Sequence, residues 1–173
     1  IQVDQPQFEL TLVGHSMGTM VLNKVLNRHQ HVLVKSKALR QIVYMAAACS
    51  VDDARESLIP FLEASQETGG QQVKFHNLTL NRVAEITEPT AGGVAPYGSL
   101  LEWIDQHLED PATIMNRTLG AEVNVWACLP AFESVLTNCS FKSFDRRTDC
   151  IPTWHGDFGC CPFWRSVFWH NST

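Results

Sequence analysis

Runs rich in apolar and β-branched residues recur along the chain and predict the strands of a sheet. The run over 41–47 is nearly continuous, which is expected of a parallel strand that is covered on both faces. The predicted strands lie at 8–13, 41–47, 73–80 and 139–144.

Apolar residues at helical spacing separate these strands. In the first such segment, Met17, Met20, Val21 and Val25 share one face. Further along, Ser99-Leu100-Leu101-Glu102 has the form of a capping box, which predicts a helix start. The predicted helices cover 17–29, about 53–65 with Pro60 limiting regularity, 99 to about 108, and 119–136 with an interruption at Pro130.

The alternation of strands and helices predicts the fold class. It indicates an α/β domain with a mainly parallel sheet and flanking helices. The length of 173 residues fits a single domain over 1–173. A stretch rich in Pro, Gly and Ala over 87–98 predicts a loop that forms a wall of the functional site.

Composition narrows the classes of partner. Apolar residues make up 45% of the chain and charged residues 18%, which indicates a globular protein. The net charge of −5 argues against a nucleic-acid surface. No run of Lys and Arg suggests an anionic membrane partner, and no apolar stretch approaches the length of a membrane span. We therefore expect neither nucleic-acid binding nor stable membrane insertion.

The cysteines and glycosylation sequons bear on location. None of the six cysteines forms a CxxC pair, and their scatter favours the partly buried thiols of an intracellular enzyme over a disulfide cluster or a metal site at Cys160-Cys161. Four Asn-x-Ser/Thr sequons raise the odds of secretion. We expect a cytoplasmic protein, with secretion left open.

Gly14-His15-Ser16-Met17-Gly18 stands between a predicted strand and a predicted helix. A tight turn in this setting lifts a serine hydroxyl above the carboxyl end of the sheet, and glycines let helix and strand approach. The N–H of Met17, at the helix N-terminus, would face a developing oxyanion. The pattern predicts that Ser16 is a nucleophile; the alternative is a glycine-rich turn that only joins two elements.

The segment 10–18 resembles the nucleophile elbow of lipases and esterases of the α/β-hydrolase superfamily. This resemblance implies an α/β-hydrolase fold, a Ser-acid-His triad in that chain order, and hydrolysis of a small-molecule or lipid carboxylic ester through an acyl-enzyme. It implies no metal and no organic cofactor.

An activated serine needs a base, and in this superfamily the base follows the last strand. His155 lies there, and His155-Gly156-Asp157-Phe158 resembles the histidine loop of lipase-like hydrolases. Gly156 is expected to allow a close backbone turn, and His15 is expected to point elsewhere. His170 is the fallback.

The sequence pattern identifies the acid of the triad less closely than the nucleophile and the base. Asn81 occupies the position after the 73–80 strand where an Asp is often found, with Glu85 and Glu88 shortly after it. We predict Glu85 as the triad acid, with Asp52 as the second choice. For each residue the alternative is a solvated surface carboxylate.

The chain begins at the strand that leads into the elbow, so we expect an α/β-hydrolase fold that lacks its N-terminal strands and its second oxyanion donor. Such a piece is expected to expose a sheet edge, to be poorly stable and to have little activity. Two other functions stay open: a non-catalytic hydrolase-fold binding protein, and an acyltransferase that uses the same triad.

Overall fold

The computed structural model describes residues 8–67, 72–88, 98–108, 113–145 and 152–160. Its centre is a four-stranded sheet in which all pairings are parallel and the strand order follows the chain. The strands are β1 Leu10–His15, β2 Leu39–Met45, β3 Lys74–Leu80 and β4 Cys139–Phe144. The α/β class and the parallel sheet with flanking helices are thus confirmed.

The helices are α1 Gly18–Ser36, α2 Val51–Glu67, α3 Arg82–Thr87, α4 Leu100–Trp103 and α5 Glu122–Cys128. A π-helical turn, Ile104–Leu108, follows α4, and 3-10 segments lie at Ile114–Asn116, Leu129–Asn138 and His155–Gly159.

Helix α1 extends beyond the predicted end at 29, with non-helical backbone angles at His29. Helix α2 continues through Pro60. The predicted interruption at Pro130 is a change from α5 to 3-10 geometry, with the proline in the first turn of the 3-10 segment.

Only half of the predicted capping box is formed. The Ser99 hydroxyl accepts a hydrogen bond from the Glu102 N–H. The Ser99 N–H donates to the carbonyl of Glu85 at 2.7 Å, so the Glu102 carboxylate is not needed to satisfy it. This contact ties the start of α4 to α3.

The two faces of the sheet carry separate apolar clusters. Alternate residues of β2 divide between them: Ile42 and Tyr44 face the cluster built with α1 and α2, and Val43 and Met45 face the cluster that holds Ala84 of α3, Leu101 of α4 and Phe158. Helices therefore cover both faces, which explains why β2 is almost wholly apolar.

Strand β1 lies at one end of the strand order, and within the described residues it pairs only with β2. The other end is β4. All four strands run in the same direction, so the segments that follow them meet along one edge of the sheet. Within the described ranges, no helix combines the length and apolar character needed to cross a bilayer.

Candidate functional site

Ser16 lies in a turn with strained backbone geometry. Its φ is 51°, in the left-handed region that non-glycine residues seldom adopt. At Gly14, an added Cβ would come within 2.9 Å of Leu22 Cδ1 and 3.1 Å of Thr19 backbone atoms, so close approach requires glycine there. At Gly18 nothing lies within 4 Å of such a Cβ, so the expectation that both glycines relieve crowding is met only at Gly14.

Hydrogen bonds from three elements hold the strained turn. The Ser16 N–H donates to the Met45 carbonyl at 2.9 Å, and the Ser16 carbonyl accepts from the Ala48 N–H at 3.2 Å. The Thr19 hydroxyl also donates to the Ser16 carbonyl, at 2.7 Å. Because β2, the segment after it and α1 all contribute, the surrounding fold fixes the serine in a conformation that it would otherwise avoid.

The side chains of Ser16 and His155 meet. His155 Nε2 lies 3.0 Å from Ser16 Oγ, although 139 positions separate them in the chain. His155 is buried and begins the short 3-10 segment that follows β4 in the chain. Nothing lies within 4 Å of a Cβ added at Gly156, and no positive φ occurs there, so that glycine is not what makes the turn.

Burial alters the basicity of His155. Burial, together with a smaller contribution from the nearby His15, lowers the pKa of the imidazole from 6.5 to about 4. His155 is therefore neutral at pH 7. A neutral Nε2 next to a serine hydroxyl is a hydrogen-bond acceptor, which is the state that a general base requires.

His15 takes part in the site, contrary to the expectation that it points elsewhere. Its Nε2–H donates to the backbone carbonyl of His155 at 3.0 Å. The two imidazole rings are 5.3 Å apart, and the ring of Phe158 lies 6.3 Å from the ring of His15. His15 thus links the end of β1 to the turn that carries His155. The sequence feature that could have indicated this role is the position of His15 directly before Ser16.

The two predicted acids lie in different surroundings. Glu85 is buried in α3, and burial together with the nearby Glu102 and Glu122 raises its pKa to about 9, so it is protonated at pH 7. Asp52 is partly exposed in α2 and forms an ion pair with Arg55 at 2.9 Å. No hydrogen bond joins either one to His155 in the described part of the chain. Their role as acid stays a prediction.

Glu88, which follows α3, is the carboxylate that contacts His155. Its Oε2 accepts a hydrogen bond from the His155 backbone N–H at 3.0 Å. Burial raises the pKa of Glu88, and this hydrogen bond opposes the rise. His155 Nδ1 is buried and has no hydrogen-bond partner among the described residues. The sequence analysis noted Glu88 next to Glu85 but chose Glu85 as the acid.

Met17 precedes the first residue of α1 and has helical backbone angles. Within the described ranges its N–H makes no hydrogen bond to another residue. A free N–H at a helix N-terminus next to Ser16 is suited to an anionic oxygen.

Other predicted features are only partly covered. His170 and most of the loop over 87–98 lie outside the described residues. The cysteines that are described, Cys49, Cys128, Cys139 and Cys160, are free thiols. In the same part of the chain, no three His, Cys, Asp or Glu side chains are grouped so as to hold a metal ion.

Comparison with known proteins gave no match to a protein-family model, to a curated protein or to a solved structure. A function for the chain therefore has to be argued from the geometry of the site.

Proposed function

We propose that the chain is a serine hydrolase that cleaves carboxylic esters. The observation that carries the proposal is the contact of 3.0 Å between Ser16 Oγ and His155 Nε2, with Ser16 in a strained turn at the carboxyl edge of a parallel sheet. A hydroxyl, a neutral imidazole and a free N–H at one point are the parts that acyl transfer needs.

The first half of the proposed reaction forms an acyl-enzyme. Ser16 Oγ attacks the ester carbonyl carbon while His155 Nε2 takes the hydroxyl proton. The tetrahedral intermediate then expels the alcohol, which leaves with the proton that His155 returns. In the second half, water attacks the acyl-enzyme, again with His155 as base, and Ser16 regains its proton as the acid is released.

The Met17 N–H is the proposed oxyanion donor. It follows the nucleophile in the chain, and the dipole of α1 adds positive potential at that point. Loss of one such donor in a serine hydrolase reduces kcat by about 100-fold to 1,000-fold. The Met17 N–H would therefore contribute strongly to kcat even if it were the single oxyanion donor.

We assign the acid's role to Glu88. A carboxylate that already holds the backbone of the base is well placed to stabilise the imidazolium that forms during the reaction. Because Nδ1 has no partner among the described residues, the assignment requires the Glu88 carboxylate to reach Nδ1 when His155 becomes protonated. Glu85 is less suited, since a protonated carboxyl carries no charge to stabilise a cation.

The fold that goes with this proposal is an α/β-hydrolase fold, in which β1 to β4 would be the later strands. The order of Ser16, Glu88 and His155 along the chain is the order of nucleophile, acid and base in that superfamily.

The proposal is tested with a fluorophosphonate probe, which labels an activated serine covalently. We expect the full chain to be labelled and the Ser16→Ala variant not to be. Ser36→Ala is the matched control, because Ser36 is exposed at the end of α1 and its hydroxyl bonds only within that helix turn and its exit. Hydrolysis of p-nitrophenyl butyrate should follow the same pattern.

Two outcomes would contradict the proposal. A wild-type chain that is folded by circular dichroism but takes up no probe would indicate a binding protein. Labelling that persists in Ser16→Ala would place the nucleophile elsewhere. An acyltransferase would be labelled too, and would release product faster when an alcohol or thiol is added as acceptor.

A further inference from the structure

A cleft of about 200 Å³ opens beside the Ser16 turn. Two of its lining residues are tied to that turn: the Ala48 N–H donates to the Ser16 carbonyl at 3.2 Å, and the Met20 N–H donates to the Met17 carbonyl at 3.1 Å. The full lining among the described residues is Met20, Ala48, Ser50, Asp53, Ile104, Asn116 and Thr118. We call it the polar cleft.

The fold builds and fixes the polar side of this cleft. Ser50 and Asp53 cap α2 reciprocally: Asp53 Oδ2 accepts from the Ser50 N–H at 3.1 Å, and the Ser50 hydroxyl accepts from the Asp53 N–H at 3.0 Å. Thr118 pairs with Ser50 through an isolated bridge. The buried Asp105 carboxylate anchors Thr118 by its N–H at 2.8 Å and by its hydroxyl at 3.2 Å. These groups are held in place before any ligand arrives.

The unused groups of the cleft include several hydrogen-bond acceptors, together with the amide N–H groups of Asn116, whose Oδ1 accepts from Thr113. Asp53 Oδ1 has no donor among the described residues, and the Thr118 hydroxyl, whose proton goes to Asp105, still has lone pairs to offer. The described lining contains no Lys, Arg or His, so an anionic group would find no counter-charge. It also contains no aromatic ring of the kind that holds a quaternary ammonium group.

Size and chemistry together indicate a small hydroxylated group. The cleft of about 200 Å³ is large enough to hold several water molecules and therefore has room for a small ligand such as a glycerol unit. Met20, Ala48 and Ile104 give it an apolar side for the carbon skeleton. On the other side of the cleft, the hydroxyl groups of such a ligand would donate hydrogen bonds to Asp53, Ser50 and Thr118.

We propose that the polar cleft binds a hydroxyl-bearing portion of the ester, so that the substrates are esters of small polyols or of hydroxy acids. The inference rests on the proposed function, since it assigns the specificity of the same site. A substrate hydroxyl that replaces water at a fixed carboxylate is favoured over an alkyl group of equal size, which would leave that carboxylate without a partner.

The experiment compares matched esters on the full chain. The first pair is 2,3-dihydroxypropyl butyrate and 2-methylbutyl butyrate, which differ in the alcohol. The second pair is ethyl 2,3-dihydroxypropanoate and ethyl 2-methylbutanoate, which differ in the acid. In at least one pair we expect kcat/KM for the hydroxylated member to exceed that of its alkyl isostere by about tenfold or more.

Asp53→Asn is the test variant, because an amide oxygen can keep the hydrogen bond that caps α2 while the negative charge is lost. It should reduce the preference for the hydroxylated ester about tenfold through KM. Glu56→Gln is the matched control, since Glu56 is an exposed carboxylate of the same helix that does not line the cleft.

Failure of the cleft assignment and failure of the proposed function give different results. If the chain is labelled by the fluorophosphonate and hydrolyses p-nitrophenyl butyrate, but prefers the alkyl member of both pairs or shows no preference, the polar cleft is not the substrate site. A preference that Asp53→Asn leaves intact also overturns it. If wild type shows neither labelling nor turnover of any ester, the proposed function itself fails.

Discussion

The carboxylate of Glu88 accepts a hydrogen bond from the backbone N–H of His155 at 3.0 Å, across 67 positions of the chain. This contact joins the segment that follows β3 to the turn that follows β4. On the opposite side, His15 at the end of β1 donates to the His155 carbonyl. The peptide groups on both sides of one imidazole are therefore fixed by other elements, which positions the ring over Ser16.

Removing the charge of Glu88 tests its assignment as the acid. In Glu88→Gln the side chain can still accept from the His155 N–H, but it can no longer stabilise an imidazolium. We expect kcat for p-nitrophenyl butyrate to fall by about 100-fold or more with little change in KM. If Glu85→Gln causes the larger loss, Glu85 is the acid after all. If Asp52→Asn does so, the second sequence-based choice is correct.

The pH dependence of hydrolysis should report the low basicity of His155. The imidazole must be neutral to accept the Ser16 proton, and its pKa is lowered to about 4, so activity is retained as pH falls until the pH approaches 4. We expect the acid limb of the kcat/KM profile to have its midpoint near that value. A midpoint at 6.5 or above would contradict the burial of His155 in the working protein.

Replacing His15 tests its positioning role. His15→Phe keeps a ring next to Phe158 but removes the hydrogen bond to the His155 carbonyl, and we expect a loss of roughly 1 kcal/mol in stability and a lower kcat. Burial is the main cause of the low His155 pKa, but the variant also removes the smaller electrostatic contribution of His15, so the acid limb should move to higher pH. A purely structural residue would change the melting temperature without moving the acid limb.

Glu85 should make the protein sensitive to alkali. Its pKa rises from 4.5 in the unfolded chain to about 9 in the folded one, so the folded state holds a proton that the unfolded state releases. The stability that this protonated carboxyl gives is present below pH 4.5 and is lost as pH rises toward about 9. Thermal melts should show Glu85→Gln losing less stability than wild type between pH 6 and 9. Parallel curves for the two proteins would contradict the buried, protonated state.

Gly120 should tolerate no side chain. A Cβ at this position would lie 2.1 Å from the Ala47 nitrogen and 2.5 Å from the Ala46 carbonyl carbon, both of which are backbone atoms that cannot rotate away. We expect Gly120→Ala to cost about 3 kcal/mol or more in the free energy of unfolding, measured by urea denaturation. Gly18→Ala is the comparison, since nothing lies within 4 Å there. Equal losses in both variants would show that the segment 46–47 can move.

Local sequence patterns were enough to predict the order and type of the main elements. Apolar periodicity is a local property, so four strands and most helices could be predicted, together with the turn that holds Ser16. Helix α3 escaped prediction because it is short and depends on the Asn81 side chain, which accepts from the Ala84 N–H to cap it. That same cap uses the Asn81 side chain at the position where an acid was sought.

Which distant side chains meet could be seen only after the strands and helices were packed together. Glu85 and Glu88 are three positions apart, and no sequence pattern tells which one is buried among other carboxylates and which one reaches His155. His15 was expected to point away from the site, but the turn at 155–159 packs against it. Periodicity reports which face of an element is buried, whereas contacts across 67 or 139 positions depend on how parallel strands bring their carboxyl ends to one edge.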